Sequence, residues 1–265
     1  MASRVESAAK TRRALLDAAA ELLDAGGPEA VTLREVGARA GVSRGAPYRH
    51  FADKEGLLTA IVVESWDRMA DAVRAIGAID SPPATRLQDV LMAFVELGRD
   101  RPHLYQLMFV ISKSDPGAGA RAALRALDEF LTIVAELVGE TDAPRFGALL
   151  FSGAHGIAEL EISGHLTEAK WRTTADDLIA TLVAMTGDYH PATSPRSSGS
   201  AERQHRTRAD LDRDGSEGLH DESESGVRAS FEVLECRREL TAGWRPTRRR
   251  STDHRTPRRR PSGRW

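Results

Sequence analysis

The sequence predicts an all-α protein of about nine helices, and three observations predict it. Apolar residues recur at three- and four-residue steps, as on one face of a helix. Capping residues, glycines and prolines punctuate those runs at helix-length intervals. No stretch alternates apolar and polar side chains as a half-buried strand would, and no internal repeat is present.

The elements follow in order. Leu15, Leu16, Ala19, Leu22 and Leu23 form one face of a helix starting near Thr11. Gly26-Gly27-Pro28 ends it, because glycine accepts the left-handed cap and proline cannot continue the helix. Thr32-Leu33-Arg34-Glu35 fits a capping box and opens a short second helix to about Ala40. Gly41 breaks that helix, and Ser43 can cap a third running to about Phe51. Asp53 can cap a fourth, with Leu57, Leu58, Ile61 and Val62 on its apolar face. Beyond Asp80, Leu87, Val90, Leu91, Phe94 and Val95 make a stripe, and Leu104 to Ile111 is nearly all apolar. Ser114-Asp115-Pro116-Gly117 reads as a loop. A helix through Leu124, Leu127, Phe130, Leu131 and Val134 then runs to Gly139. Another is expected from about Ala143 to Gly164, and a last one from about Thr167 to Met185.

Charge divides the chain. The 265 residues carry a formal net charge of -2, yet Pro191–Trp265 holds 17 Arg, no Lys and 12 acids, leaving Met1–His190 at -7. Only 10 of the last 75 residues are large and apolar, too few to offset the entropy of ordering that backbone. Residues 191–265 are therefore expected to be a disordered Arg-rich tail, although their composition also suits translation of a GC-rich gene in a shifted frame. The single cysteine, Cys236, excludes a disulfide framework and any multi-cysteine metal site. No apolar run is long enough to span a bilayer and no signal peptide opens the chain, so a cytoplasmic location without membrane partner is expected.

Thr32–Phe51 reads as a helix-turn-helix: two short helices around Gly41, the second with a polar outer face. Such a second helix fits the major groove, where its first residues meet base edges. Ser43, Arg44, Tyr48, Arg49 and His50 supply donors, and Gly45 and Ala46 permit close approach. Lys54 adds a cation at the start of the next helix, where free amides already favour a phosphate.

Taken together, Thr32-Leu33-Arg34-Glu35-Val36, Ala40-Gly41-Val42-Ser43, Tyr48-Arg49-His50-Phe51, Lys54 and Leu57-Leu58 resemble the N-terminal DNA-binding domain of the TetR family of transcriptional regulators. The resemblance implies a homodimeric, usually repressing protein that binds double-stranded DNA at a near-palindromic operator and answers to a small molecule. It places DNA contacts at Thr32, Ser43, Arg44, Gly45, Pro47, Tyr48, His50 and Lys54, with Thr32, Tyr48, His50 and Lys54 mainly on phosphates. Pro47 departs from the family's aliphatic or aromatic residue. Because proline disfavours helix at the residue before it, the recognition helix is expected to start one or two residues late. The DNA-binding domain is expected over residues 9–69 and a regulatory and dimerisation domain over 80–188.

The second half is similar to a C-terminal domain of one TetR subfamily, through Arg101-Pro102-His103-Leu104-Tyr105-Gln106-Leu107-Met108-Phe109 and Ala154-His155-Gly156-Ile157-Ala158-Glu159-Leu160-Glu161. Of that domain's Trp-His-Gly triplet only His155-Gly156 is present. Phe94, Tyr105, Met108, Phe109, Phe130, Phe151 and His155 are candidates to line a cavity for a small apolar or amphipathic ligand. Gly147, Ala148, Ser152, Gly153, Ala154 and Gly156 keep one helix slim, which suits the close approach of another backbone or of a ligand. With the stripe on the last helix this suggests a four-helix dimer interface, for which Phe146, Leu150, Gly153, Ile157, Leu178 and Leu182 are candidates.

His155 and Glu159 fall four apart, but two ligands do not make a metal site, and neither a phosphate loop nor a nucleophile elbow is present. No catalytic residue, metal or cofactor is expected. The alternative reading is a constitutive nucleic-acid-binding or architectural protein, suggested by Arg248-Arg249-Arg250 and Arg258-Arg259-Arg260.

Overall fold

The computed structural model describes residues 3–110 and 115–187. The expected tail 191–265, with Cys236 and both arginine triplets, lies outside the described residues, as does Ile111. Among the described residues there are ten helices and no strand.

α1 (Arg4–Ala30) starts two turns earlier than the apolar pattern suggested, because Ser3 and Glu6 form a capping box. The Glu6 N–H donates to Ser3 Oγ at 3.1 Å, and the Ser3 N–H donates to Glu6 Oε2 at 2.6 Å. The helix breaks where the sequence places its end: Gly26 and Gly27 leave helical geometry, Gly27 at φ 69°, and one further turn carries Pro28. In α2 (Leu33–Arg39) the Glu35 N–H donates to Thr32 Oγ1 at 3.1 Å, half of the expected box. Gly41, at φ 68°, makes the turn, a conformation costly for any residue with a Cβ. α3 (Ala46–His50) begins at Gly45 rather than at Ser43, whose side chain caps nothing. The proline argument explains this late start, since Pro47 fits only the first turn.

α4 (Lys54–Gly77) opens as expected, the Gly56 N–H donating to Asp53 Oδ1 at 2.7 Å. The regulatory half comprises α5 (Pro83–Asp100), α6 (Pro102–Met108), α7 (Ala118–Val138) and α8 (Ala143–Ile162). The expected last helix is two: α9 (Glu168–Trp171) ends with Arg172 in the left-handed region at φ 53°, and α10 (Ala175–Gly187) starts afresh. Thr174 and Asp177 form the new cap, N–H to Oδ2 at 3.0 Å in one direction and N–H to Oγ1 at 3.1 Å in the other.

One hydrophobic cluster runs from Leu15 in α1 to Val183 in α10. α4 is its spine. Leu57 and Ile61 join the core of α1–α3, while Met69, Val73 and Ile76 join that of α5 and α7. α4 packs along α7, α5 along α8, and α10 closes on α5 and α8. No helix of the described residues is long and apolar enough to cross a membrane.

Candidate functional site

Two places on the molecule have the chemistry of a site. The first is the surface of α2, α3 and the start of α4. Val36 and Phe51 are buried and Val42 is half-buried, which fixes α3 against α1 and α2. Arg44, Gly45 and Tyr48 are left outside, Tyr48 at 61% exposure. An exposed ring that carries a hydroxyl suits a contact surface. Thr32 and Ser43 are exposed, and His50 is half-buried.

Pro47 does not belong to this surface. It is buried against α2, where a Cβ on Gly37 would come within 2.8 Å of its ring. The ring thus occupies the space that a glycine leaves, and Pro47 positions α3 instead of touching a partner. Lys54 sits at the first turn of α4, 3.7 Å from Glu29. That pair is weak, for the Glu29 side chain is almost wholly in water.

The cations here differ from those elsewhere. Arg4, Arg34, Arg44 and Arg49 have no carboxylate partner among the described residues. Arg12 lies over the Phe51 ring at 5.3 Å.

The second place is a cavity of about 1240 Å³ between α4 and the regulatory half. Phe94, Met108, Phe109, Phe130 and Phe151 line it, as the sequence led us to expect. Phe94 meets Phe109 edge to face at 6.0 Å and 88°, and Phe151 packs tilted against Phe94 at 5.0 Å. Tyr105 and His155 do not line it. They form a pair behind the aromatic wall, Tyr105 Oη 2.8 Å from His155 Nδ1, with His155 only 4.3 Å from the Phe109 ring. Burial, and then the charge of Glu159, push the Tyr105 phenol well above its usual range, so it stays protonated and neutral.

Sequence reasoning missed the contribution of α4. Leu58, Val62, Trp66, Met69 and Val73 line the cavity at helical spacing, and its far end reaches Thr59, Lys54 and Glu29. The signal was in the sequence, since only part of that stripe is needed to cover α1. Trp66 meets Phe109 edge-on at 5.9 Å.

The candidate interface residues separate. Leu150 and Ile157 face the chain's own core, and Gly153 is occupied by α10: a Cβ there would lie 2.8 Å from Leu182. Phe146, Leu178 and Leu182 are half-buried. The outward face of α8 is carried instead by Leu149, Ser152, Gly156 and Leu160, with nothing within 4 Å of a Cβ on Gly156. Leu149, Leu160 and Met185 on α10 are 62%, 47% and 69% exposed. Among the described residues no three metal-ligating side chains converge.

A helix-turn-helix with exposed donors, built onto a helical unit with an apolar cavity, defines a DNA-binding transcriptional regulator. Residues 15–61 match the model of bacterial regulatory proteins of the tetR family, and residues 87–186 that of the tetracyclin repressor-like C-terminal domain. The chain belongs to the TetR family of transcriptional regulators. Among solved structures it is similar to a protein of unknown function from Rhodococcus sp. RHA1, 26% identical with a TM-score of 0.58, over 67% of this chain and 93% of the other. It is also similar in fold to a candidate TetR-family transcriptional regulator from Mesorhizobium loti, 19% identical with a TM-score of 0.54, over 69% of this chain and 98% of the other.

Proposed function

We propose that this regulator is a cytoplasmic homodimeric repressor without enzymatic activity, released from a near-palindromic operator by a small apolar or amphipathic molecule. The observation that carries the reading is the double use of α4. The same helix that walls the cavity from Leu58 to Val73 presents Lys54 beside the recognition helix. A molecule that fits the cavity better when α4 is tilted displaces Lys54 and α3 together. It shifts the equilibrium only by its differential affinity for the two arrangements.

In the bound state Arg44 enters the major groove, with Ser43 and Gly45 at its edge and Tyr48 against a phosphate. Thr32, His50 and Lys54 hold phosphates. Dimerisation pairs the exposed apolar face of α8 and α10 with its copy, and places two recognition helices about 34 Å apart on successive turns of one DNA face. Gly156 allows the two α8 backbones to approach closely.

The test is selection of bound fragments from genomic DNA, followed by a compound screen for release from the recovered operator. A palindromic operator and at least one releasing apolar compound are expected. Binding that no compound alters, at a site without two-fold symmetry, overturns the reading.

A further inference from the structure

α3 and the turn that leads into it have two edges. Arg44, Gly45 and Tyr48 form one. Ser43, Arg49 and His50 form the other, and this second edge faces the first turns of α1 across a cleft of about 620 Å³. Arg4, Ser7 and Thr11, spaced at three and four residues on one face of α1, make the opposite wall. No carboxylate lines the cleft.

Three features of this cleft stand out. Every residue from Ser3 to Lys10 is exposed, so the first two turns of α1 bury no core. A helix end held only by its cap is marginal in water, yet this one aligns a cation and a hydroxyl with α3. Arg4 and Arg49 share the cleft without an acid between them, although most other arginines among the described residues are matched to one. Like charges gathered around one concavity raise a positive potential there that an anion relieves. Finally, the Thr11 hydroxyl donates to the Ser7 carbonyl at 2.9 Å, whereas Ser7 and Ser43 line the cleft with exposed hydroxyls.

We propose that the cleft between α1 and α3 binds a backbone phosphate of double-stranded DNA, with Arg4 and Arg49 as its cations and Ser7 and Ser43 as hydroxyl donors. This rests on the DNA-binding reading of the helix-turn-helix and adds to it a strand contact on the edge of α3 away from Lys54. The recognition helix is then held from both sides of the groove, by α4 on one strand and by α1 on the other.

The experiment measures the affinity of the full chain for a random-sequence duplex of about 30 base pairs over a range of salt concentrations. Arg4→Ala and Arg49→Ala are each expected to reduce the log–log salt slope by about 1 per bound protomer, and to weaken binding about eightfold at 0.1 M salt. Arg49→Lys retains the slope. An unchanged slope in Arg4→Ala overturns the proposal, as does a loss seen at a selected operator and absent on the random duplex. Arg4 lies outside the core, so its variant reports on the cleft even if Arg49→Ala perturbs α3. If the unaltered chain shows no salt-dependent DNA binding at all, the DNA-binding reading falls first and the cleft with it.

Discussion

Among the described residues, Arg4, Arg34, Arg44 and Arg49 of the α1–α3 region stand without a carboxylate, whereas in α5–α8 Arg86, Arg99, Arg101, Arg121, Arg125 and Arg145 each hold one. Composition does not cause the difference, because residues through Arg74 contain 11 basic and 11 acidic side chains. Placement does. In the N-terminal helices the acids are occupied internally: Glu6 and Asp53 cap helices, Asp17 and Glu64 bind Arg13, Glu21 binds Arg39, and Asp24 binds Arg101. A chain segment with zero net charge thereby presents a positive face. In the regulatory half Arg86, Arg99 and Arg125 hold helices together, while among the described residues Lys170 and Arg172 at the short α9 have no carboxylate.

The pair that crosses the boundary tests the comparison most severely. Arg101, at 5% exposure, grips Asp24 of α1 with Nε at 3.1 Å and Nη2 at 2.7 Å. Asp24→Ala leaves that buried guanidinium without its carboxylate, and is expected to cost about 3 kcal/mol or more in denaturant unfolding. A loss near that of a surface pair would mean that the two halves are not joined there. Arg44→Ala probes the free cations. It should lower preference at particular base pairs by about 1–3 kcal/mol while other positions keep theirs. Equal losses on every sequence would assign Arg44 to phosphate and remove it from base reading.

Gly37→Ala comes next. A Cβ would press on Pro47 at 2.8 Å, and a proline ring cannot swing away. Overpacking of this kind costs about 1–3 kcal/mol, set against about 1 kcal/mol gained in helix propensity. We expect a net loss of about 1 kcal/mol in stability together with weaker DNA binding, as α3 is pushed outward. A more stable variant with unchanged DNA affinity would show that Pro47 does not set the seat of α3.

How far the sequence reached can be seen at these same residues. The caps at Thr32 and Asp53, the turn at Gly41 and the break at Gly26-Gly27 are local, and local chemistry predicts them. The late start of α3 was also readable, since proline restricts its own neighbourhood. The role of Pro47 was not, because its partner is the empty side of Gly37, ten residues away in sequence. Tyr105 and His155 looked like ligand contacts by residue type, yet each satisfies the other behind Phe109, a pairing fifty residues apart. Leu150 and Ile157, read as interface candidates, lie in the chain's own core for a related reason: helical periodicity gives a stripe, and only packing decides whether it faces inward or outward. The extra turns of α1 were signalled by Ser3 and Glu6, which carry no apolar pattern to attract notice.

The smallest effect is the one that most sharpens the contrast. Arg125 of α7 reaches Asp67 and Asp71 of α4 at 3.3 and 3.2 Å, and also donates to the Asp67 carbonyl at 2.8 Å, with its side chain 44% exposed. Pairs in that much water contribute about 0.2–1 kcal/mol and are screened by salt. Arg125→Ala should therefore cost less than about 1 kcal/mol at low salt and still less at high salt. Because its charge is already neutralised by α4, its removal should leave the salt slope of DNA binding unchanged, although Arg125 equals Arg4 in formal charge. A changed slope with the fold intact would place α7 within the electrostatic reach of DNA. The division between free cations that meet phosphate and paired cations that join helices would then fail at α4, the helix the two halves share.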